Sequence, residues 1–198
     1  ISARVTNGST AADSMIIRNN LFQKNYSLVD NMTYGTCISI SYSNKHVIRN
    51  NTFIGNLKHP ANTYTSIYIV ANTYSSISYI DSNVVKGNTG GFLFGASAGF
   101  FRNNLIESNT GYILFSMWNT EMKFINNKFL NNTFSGTFGG AGKLDFIGNI
   151  ISGNNTNLYT EASGYFINNT IVNNSTYLQI VANSRPVFIN NILWGNNG

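Results

Sequence analysis

Apolar and polar residues follow one another in a nine-position unit that recurs eight times along this chain. Each copy reads apolar, any, small polar, Asn, any, apolar, any, any, Asn, as in FINNTIVNN at 166–174. The copies occupy 17–25, 48–56, 80–88, 101–109, 124–132, 146–154, 166–174 and 188–196. The pattern predicts one short strand that ends at the opening apolar residue and its neighbour, and a second strand after the first Asn. A third is expected between copies, as at 177–181.

The spacing of the copies predicts a solenoid. Successive fourth-position Asn residues lie 31, 32, 21, 23, 22, 20 and 22 residues apart. A repeat near 22 residues built from short β-like pieces is typical of a chain that winds one coil per repeat. We expect an all-β fold: a parallel β-solenoid of about eight coils with three short strands per coil, stacked about 4.8 Å apart. The chain, 1–198, would form a single domain, with a partial N-terminal coil at 1–14.

The two Asn positions of the unit predict two ladders inside the solenoid. Asn tolerates left-handed backbone angles well, so these residues are expected at the bends between strands. Their stacked amides would hydrogen-bond to one another and to the backbone, which indicates a structural role. The first ladder comprises Asn20, Asn51, Asn83, Asn104, Asn127, Asn149, Asn169 and Asn191. The second comprises Asn25, Asn56, Asn88, Asn109, Asn132, Asn154, Asn174 and Asn196.

These repeats resemble the right-handed parallel β-helix superfamily, which includes pectate-lyase-like enzymes. Five copies also resemble the Phe-x-x-Asn repeats of polymorphic outer-membrane proteins and Asn-rich adhesin-like surface proteins, beginning at 101, 124, 146, 166 and 188. The Gly-Gly-Ala-Ile motif that accompanies those repeats is absent from this sequence. The resemblance implies a right-handed parallel β-helix and a secreted or cell-surface location. It says little about activity, because this fold carries lyases, hydrolases, epimerases and adhesins.

Composition and charge exclude several classes of protein. The chain has 34 Asn among 198 residues, and only 10% of its residues are charged. The net charge is +5, but the 12 Lys and Arg are scattered, which does not favour a nucleic-acid partner. No apolar run approaches the roughly 20 residues of a membrane-spanning helix. The single cysteine, Cys37, excludes a disulfide framework within the chain.

Catalytic chemistry finds no support in the acidic residues. Sugar hydrolysis needs a pair of carboxylates across the scissile bond. The seven acids show no such pair, no metal-ligand spacing and no cofactor motif, so no catalytic residue, metal or cofactor is predicted. They are Asp13, Asp30, Asp81, Glu107, Glu121, Asp145 and Glu161. Charges at the second and seventh positions predict opposite-charge ladders on neighbouring coils, Arg49 with Asp81 and Arg102, and Lys86 with Glu107.

The two long intervals indicate a binding site. The extra residues fall in loops near 29–35 and 57–64, and insertions in a solenoid emerge on one face. Loops on adjacent coils would lie side by side and bring together polar and aromatic side chains that suit a sugar or protein ligand. The predicted ligand-binding residues are Asp30, Tyr34, Lys58, His59 and Tyr64, and Lys45 and His46 could lie near them. Two solvated loops without a partner are the alternative.

The function expected first is a structural or adhesive extracellular β-helix, a surface protein or fibre subunit. The alternative is a β-helix that binds or modifies a polysaccharide, such as a lyase, epimerase or hydrolase. The chain stops directly after the eighth copy, so we expect self-association by head-to-tail stacking of coils. A lateral contact is also expected at an outward stripe that comprises Ile125, Ile147, Ile167 and Ile189.

Overall fold

The computed structural model of the protein describes most of the repeat units and some of the chain between them. The described residues are 2–4, 14–26, 37–41, 45–58, 76–89, 93–95, 97–111, 114–116, 121–138, 143–160, 163–175, 178–180 and 184–197. All regular elements among them are β-strands, and these residues contain no helix.

The strands are short, from two to six residues each. The first twelve are β1 Ser2–Arg4, β2 Met15–Arg18, β3 Leu21–Gln23, β4 Ser39–Ser41, β5 Lys45–Arg49, β6 Thr52–Ile54, β7 Ser76–Asp81, β8 Val84–Lys86, β9 Leu93–Gly95, β10 Ser97–Arg102, β11 Leu105–Glu107 and β12 Thr110–Gly111. The others are β13 Leu114–Ser116, β14 Glu121–Ile125, β15 Lys128–Leu130, β16 Thr133–Phe138, β17 Lys143–Ile147, β18 Ile150–Ser152, β19 Asn155–Thr160, β20 Tyr165–Ile167, β21 Thr170–Val172, β22 Leu178–Ile180, β23 Val187–Ile189 and β24 Ile192–Trp194.

Two eight-stranded parallel sheets dominate the molecule. The first, sheet A, has the order β2-β5-β7-β10-β14-β17-β20-β23. The second, sheet B, has the order β3-β6-β8-β11-β15-β18-β21-β24. Each repeat copy contributes one strand to each sheet, on either side of its first Asn. The remaining strands form a four-stranded sheet, β12-β16-β19-β22, and two strand pairs, β1-β4 and β9-β13. The predicted all-β parallel solenoid is confirmed.

The core lies between sheets A and B, where the first and sixth positions of each copy point inward. In register along sheet A, Ile80 pairs with Phe101 and Phe101 with Phe124. The ring centroids of Phe124 and Phe146 are 4.7 Å apart, with the rings nearly parallel at 6°. Stacked coils therefore place apolar side chains on one another at about the spacing of parallel strands.

The bends between strands are made by the residue before each ladder Asn, which corrects the prediction that the ladder residues themselves adopt left-handed angles. Positive φ occurs at the third and eighth positions of the unit. Examples are Asn103 (55°) and Ser108 (54°). Gly148 and Gly153 occupy the same positions in another copy, both at 66°. A left-handed residue turns the chain sharply, and the next side chain, the ladder Asn, then points into the core.

The ladder Asn residues are buried, as predicted, and their polar groups are satisfied. The twelve that are not in the first or last copy are at most 5% exposed. The Nδ2 of Asn104 donates to the carbonyl oxygen of Ile80 in the preceding coil, at 3.0 Å. Its backbone N and Nδ2 also donate to Oδ1 of Asn127 in the following coil. Each amide thus joins three coils, which explains why Asn is required at these positions.

Candidate functional site

The loop site predicted from the sequence lies almost entirely outside the described residues. Asp30, Tyr34, His59 and Tyr64 fall in undescribed segments, and so do most of the loops at 29–35 and 57–64. Lys58 is described. It is half-buried, and its backbone N donates to the carbonyl oxygen and to Oγ1 of Thr89, at 3.1 and 3.0 Å. The loop site therefore stays a prediction.

The described residues place a different set of side chains together on the outer face of sheet A. Strands β5, β7 and β10 are neighbours there, and their outward residues form what we call the cationic–aromatic patch. Its members are Lys45, Arg49, Tyr79, Asp81, Phe100 and Arg102. A shallow open groove of about 180 Å³ runs across it, lined by all of these except Phe100, together with Val47.

Two aromatic rings form the floor of this patch. Tyr79 and Phe100 are register partners on β7 and β10, and their rings stack with centroids 5.7 Å apart and an angle of 22° between planes. Cations lie over both rings. The Nζ of Lys45 is 5.5 Å from the Tyr79 centroid. The Cζ of Arg102 is 5.9 Å from the Phe100 centroid. Both distances are in the range in which a cation is attracted by a ring face.

A charge ladder borders the rings. Asp81 stands in register between Arg49 and Arg102, as the sequence predicts. The Nε of Arg102 is 3.2 Å from Oδ2 of Asp81. Among the described residues, no carboxylate pairs with Arg49. In the described part of the patch, three cations therefore accompany one carboxylate. The predicted pair of Lys86 and Glu107 is also present, at 2.9 Å.

Asp81 is held as a carboxylate by its neighbours. Partial burial by itself would raise the pKa of Asp81, but hydrogen bonds from Asn103 and Ser82 and the charge of Arg102 hold that pKa below its usual value. The Nδ2 of Asn103 and the Oγ of Ser82 both donate to Oδ1, each at 3.0 Å. Asp81 is therefore ionised at neutral pH and is fully engaged by protein donors, which makes it a poor general acid.

The patch offers cations and aromatic ring faces to a ligand. It contains one carboxylate, whereas hydrolysis of a glycosidic bond requires two. No group of three or more His, Cys, Asp or Glu side chains that could hold a metal ion occurs in the described part of the chain. A ring with an anionic substituent would suit the patch, since the ring can lie against Tyr79 while the charge meets Lys45 and Arg49.

The repeat and the fold agree with one comparison to known proteins. A family model described as a right-handed β-helix region matches residues 4–164. The chain belongs to the right-handed β-helix family. This confirms the resemblance to parallel β-helices inferred from the Asn-rich repeats. No curated protein and no solved structure matches the chain.

Other outward features of the β-helix are partly as expected. In the stripe predicted for lateral contact, Ile125, Ile147 and Ile167 are half-buried and Ile189 is 43% exposed. Lys123, the register partner of Phe100 on the next strand, stands in register with Asp145 on the strand after it. Among the described residues of the β-helix, no helix has the length and apolar character needed to cross a membrane.

Sequence reasoning missed the two aromatic members of the patch. It placed Arg49, Asp81 and Arg102 in a ladder, but Tyr79 and Phe100 precede the first position of the repeat, where the copies share no residue type. The usable signal is alternation within the strand: Ile80 and Phe101 point inward, so the residue before each must point outward.

Proposed function

We propose that this β-helix is an extracellular adhesive protein that binds an anionic saccharide at the cationic–aromatic patch. The observation that supports it most directly is the stacked pair of Tyr79 and Phe100 beside three cations and a single carboxylate. Sugar rings bind on aromatic faces through their C–H groups, and carboxylate or sulfate substituents bind Lys and Arg. This combines the adhesive function with the saccharide partner, and it places no catalytic step at the patch.

The proposal includes an architecture that suits a long ligand. Each of the eight repeat copies forms one coil, with three short strands per coil, and the repeats are of the type found in Asn-rich adhesin-like surface proteins and polymorphic outer-membrane proteins. Support comes from the contribution of every copy to both sheets. Outward columns on successive coils are about 4.8 Å apart, so one sugar ring of roughly that length lies over each coil and a chain of sugars runs along the axis. A secreted or cell-surface location follows from this function.

Binding of a sulfated oligosaccharide by isothermal titration calorimetry tests the proposal. Dextran sulfate fragments are a suitable probe, with neutral dextran fragments of the same length as the reference ligand. We expect the sulfated probe to bind and the neutral one to bind at least about tenfold more weakly, which corresponds to about 1.4 kcal/mol. Affinity should fall as salt is added, since the contacts are charge pairs near the surface.

Matched variants locate the site. Arg49→Ala and Tyr79→Ala should each weaken binding of the sulfated probe about tenfold. Lys128→Ala is the control, because Lys128 is an exposed cation on the outer face of sheet B, away from the patch. If Arg49→Ala and Lys128→Ala lose affinity equally and Tyr79→Ala loses none, binding follows total charge and the patch is not the site. If none loses affinity, the ligand binds elsewhere.

A second candidate function is self-association into a fibre. Among the described residues, nothing covers the last coil, whose inward-column residues Phe188 and Leu193 are 37% and 52% exposed. A further coil stacked there would receive the hydrogen bonds that each ladder Asn donates to the next coil. The first copy differs, because its inward residues Ile17 and Phe22 are 5% and 8% exposed. The described residues thus leave apolar side chains uncovered at one end only, so saccharide binding is the better supported function.

A further inference from the structure

A histidine lies in the core directly behind the cationic–aromatic patch. His46 and Ser78 are both completely buried and are register partners on β5 and β7. The Nδ1 of His46 is 3.1 Å from Oγ of Ser78. Its Nε2 has no hydrogen-bond partner among the described residues. On the other side, the register partner of His46 is Met15 of β2, which offers the ring no charged partner.

The same two strands carry the patch on their outer face. On β5, Lys45 directly precedes His46 and Arg49 lies three residues after it, and on β7, Tyr79 and Asp81 lie one and three residues after Ser78. Side chains alternate between the two faces of a strand, so the buried pair and the patch share one stretch of backbone pairing. Any event that separates β5 from β7 in the core also separates Arg49 from Asp81 and Lys45 from Tyr79 at the surface.

We propose that the His46–Ser78 pair is an acid-sensitive switch that opens the pairing of β5 with β7 and releases the anionic ligand from the patch. The release of ligand rests on the proposed function. The separation of β5 from β7 rests only on the geometry of the core. Protonation adds an N–H to His46, and an imidazolium needs acceptors at both ring nitrogens. The described core provides Ser78 at one nitrogen and nothing at the other, so the charged ring is stable only when water reaches it.

The direction of the pH dependence follows from burial. Burial lowers the pKa of His46 from its ordinary 6.5 to about 4. A group with a lowered pKa in the closed state binds its proton preferentially in the open state. The closed pairing is therefore fully favoured above pH 6.5, and it loses free energy as the pH falls from 6.5 towards 4.

Other ionisable groups near the pair do not produce this effect. The neighbouring strands carry Arg18 on β2 and Tyr79 and Asp81 on β7, all outward, as are Lys45 and Arg49 of β5 itself. The pKa of Asp81 is held below its usual value. Burial raises the pKa of the Cys37 thiol to about 12, so this core residue also stays neutral.

Hydrogen exchange without ligand tests the opening. Amide protection of 45–49 and 76–81, corrected for the intrinsic pH dependence of exchange, should fall at least about tenfold between pH ~7 and pH ~4.5 in the native protein. In His46→Met it should stay unchanged within about twofold. Methionine suits this column, which holds Met15 and Met122, and His46→Leu is the second variant because the column also holds Leu144. His59→Gln, at the other histidine of the chain, should behave as the native protein.

Ligand binding tests the coupling. Dextran sulfate fragments keep their charge in this range, so a change in affinity reports on the protein. The native Kd should rise at least about tenfold from pH ~7 to pH ~4.5, and the Kd of His46→Met should change less than about twofold. Equal pH dependence in both proteins, or acid-insensitive hydrogen exchange, would overturn the switch. Absence of binding at pH ~7 would overturn the proposed function and the release of ligand with it, while hydrogen exchange would still decide the opening.

Discussion

Asn104 donates both its backbone amide and its side-chain amide to a single oxygen, Oδ1 of Asn127, each at 3.0 Å. Asn127 makes the same pair of bonds to Asn149 in the next coil, at 2.9 and 3.0 Å. The ladder therefore has a polarity: side-chain oxygens face the N-terminal end and their donors lie one coil before them. Each ladder Asn accepts hydrogen bonds from the coil before it and donates to the coil after it. The loss of one Asn therefore leaves buried groups unsatisfied in two coils.

Asn127→Ala should be among the most destabilising single substitutions in this chain. It removes the acceptor of two buried donors of Asn104 and the donor to the carbonyl oxygen of Phe101. At roughly 1–3 kcal/mol for each buried group left unsatisfied, we expect a loss of about 3–5 kcal/mol in the free energy of unfolding, measured with urea. The matched control is Asn126→Gly, because Asn126 is exposed and has φ of 53°, which Gly adopts readily. A loss below about 1 kcal/mol at Asn127 would contradict the ladder as a stabilising device.

Gly99 is required by the close approach of two coils. Its φ is 135°, and a Cβ at this position would overlap the backbone carbonyl oxygen of Ser78. Gly99→Ala should therefore push β7 and β10 apart and lower the free energy of unfolding by about 2–4 kcal/mol. A thermal melt should show this loss as a lower midpoint temperature. Gly87→Ala is the control: its φ is 62°, but no atom lies within 4 Å of the added Cβ. That variant meets only the backbone cost of about 1–2 kcal/mol. Equal losses would show that backbone strain, and not the contact with Ser78, decides the effect.

The repeat made most of the fold predictable, because each structural role recurs at a fixed position. The inward positions are apolar and the ladder positions are Asn in all eight copies, and the structure places both where the pattern predicts them. The bends were displaced by one residue. Asn126, Gly148 and Asn168 make them in three successive copies, and an Asn-Asn pair does not show which of its members is left-handed and which is inward.

The candidate site was much less predictable for a physical reason. Tyr79 and Phe100 lie on the outer face at a position that has no residue type common to the copies, so no column marks them. His46 is similar: its register partners are Met15 and Ser78, so its column has no common residue type. Whether a loop insertion forms a site depends on its conformation, which periodicity does not encode. The residues predicted at Asp30, Tyr34, His59 and Tyr64 stay untested.

Stacking of a second copy on the last described coil would make association sensitive to Leu193. Sedimentation velocity should show concentration-dependent oligomers of the native protein, with Leu193→Asp mostly monomeric, since a charge cannot be buried in an apolar contact without a partner. Ile150→Asp is the control, because Ile150 is outward and 37% exposed on the same sheet, two coils before the edge. A native protein that stays monomeric at every concentration, or equal dissociation in both variants, would contradict axial stacking.

Asp81 offers a change that should strengthen binding, in contrast to the removal of Arg49. Asp81→Asn keeps an oxygen for the donors Asn103 and Ser82 but removes the only carboxylate among the three cations of the patch. The local charge rises by one unit, so the affinity for a sulfated oligosaccharide at low ionic strength should increase about threefold to tenfold. The gain should shrink as salt is added, because exposed charges are screened over about 10 Å at 0.1 M ionic strength.

Glu107→Gln provides the matched control for this charge effect. Glu107 is a partly exposed carboxylate paired with a cation, Lys86, as Asp81 is with Arg102, but it lies on sheet B. Glu107→Gln changes the total charge of the protein by the same unit as Asp81→Asn. A gain in affinity that both variants share therefore reports on overall charge, and any additional gain in Asp81→Asn reports on the patch. Weaker binding by Asp81→Asn would mean that the carboxylate contacts the ligand or holds Arg102 in position. The patch would then select its saccharide through hydrogen bonds at Asp81, and the description of Asp81 as a mere counter-charge would be wrong.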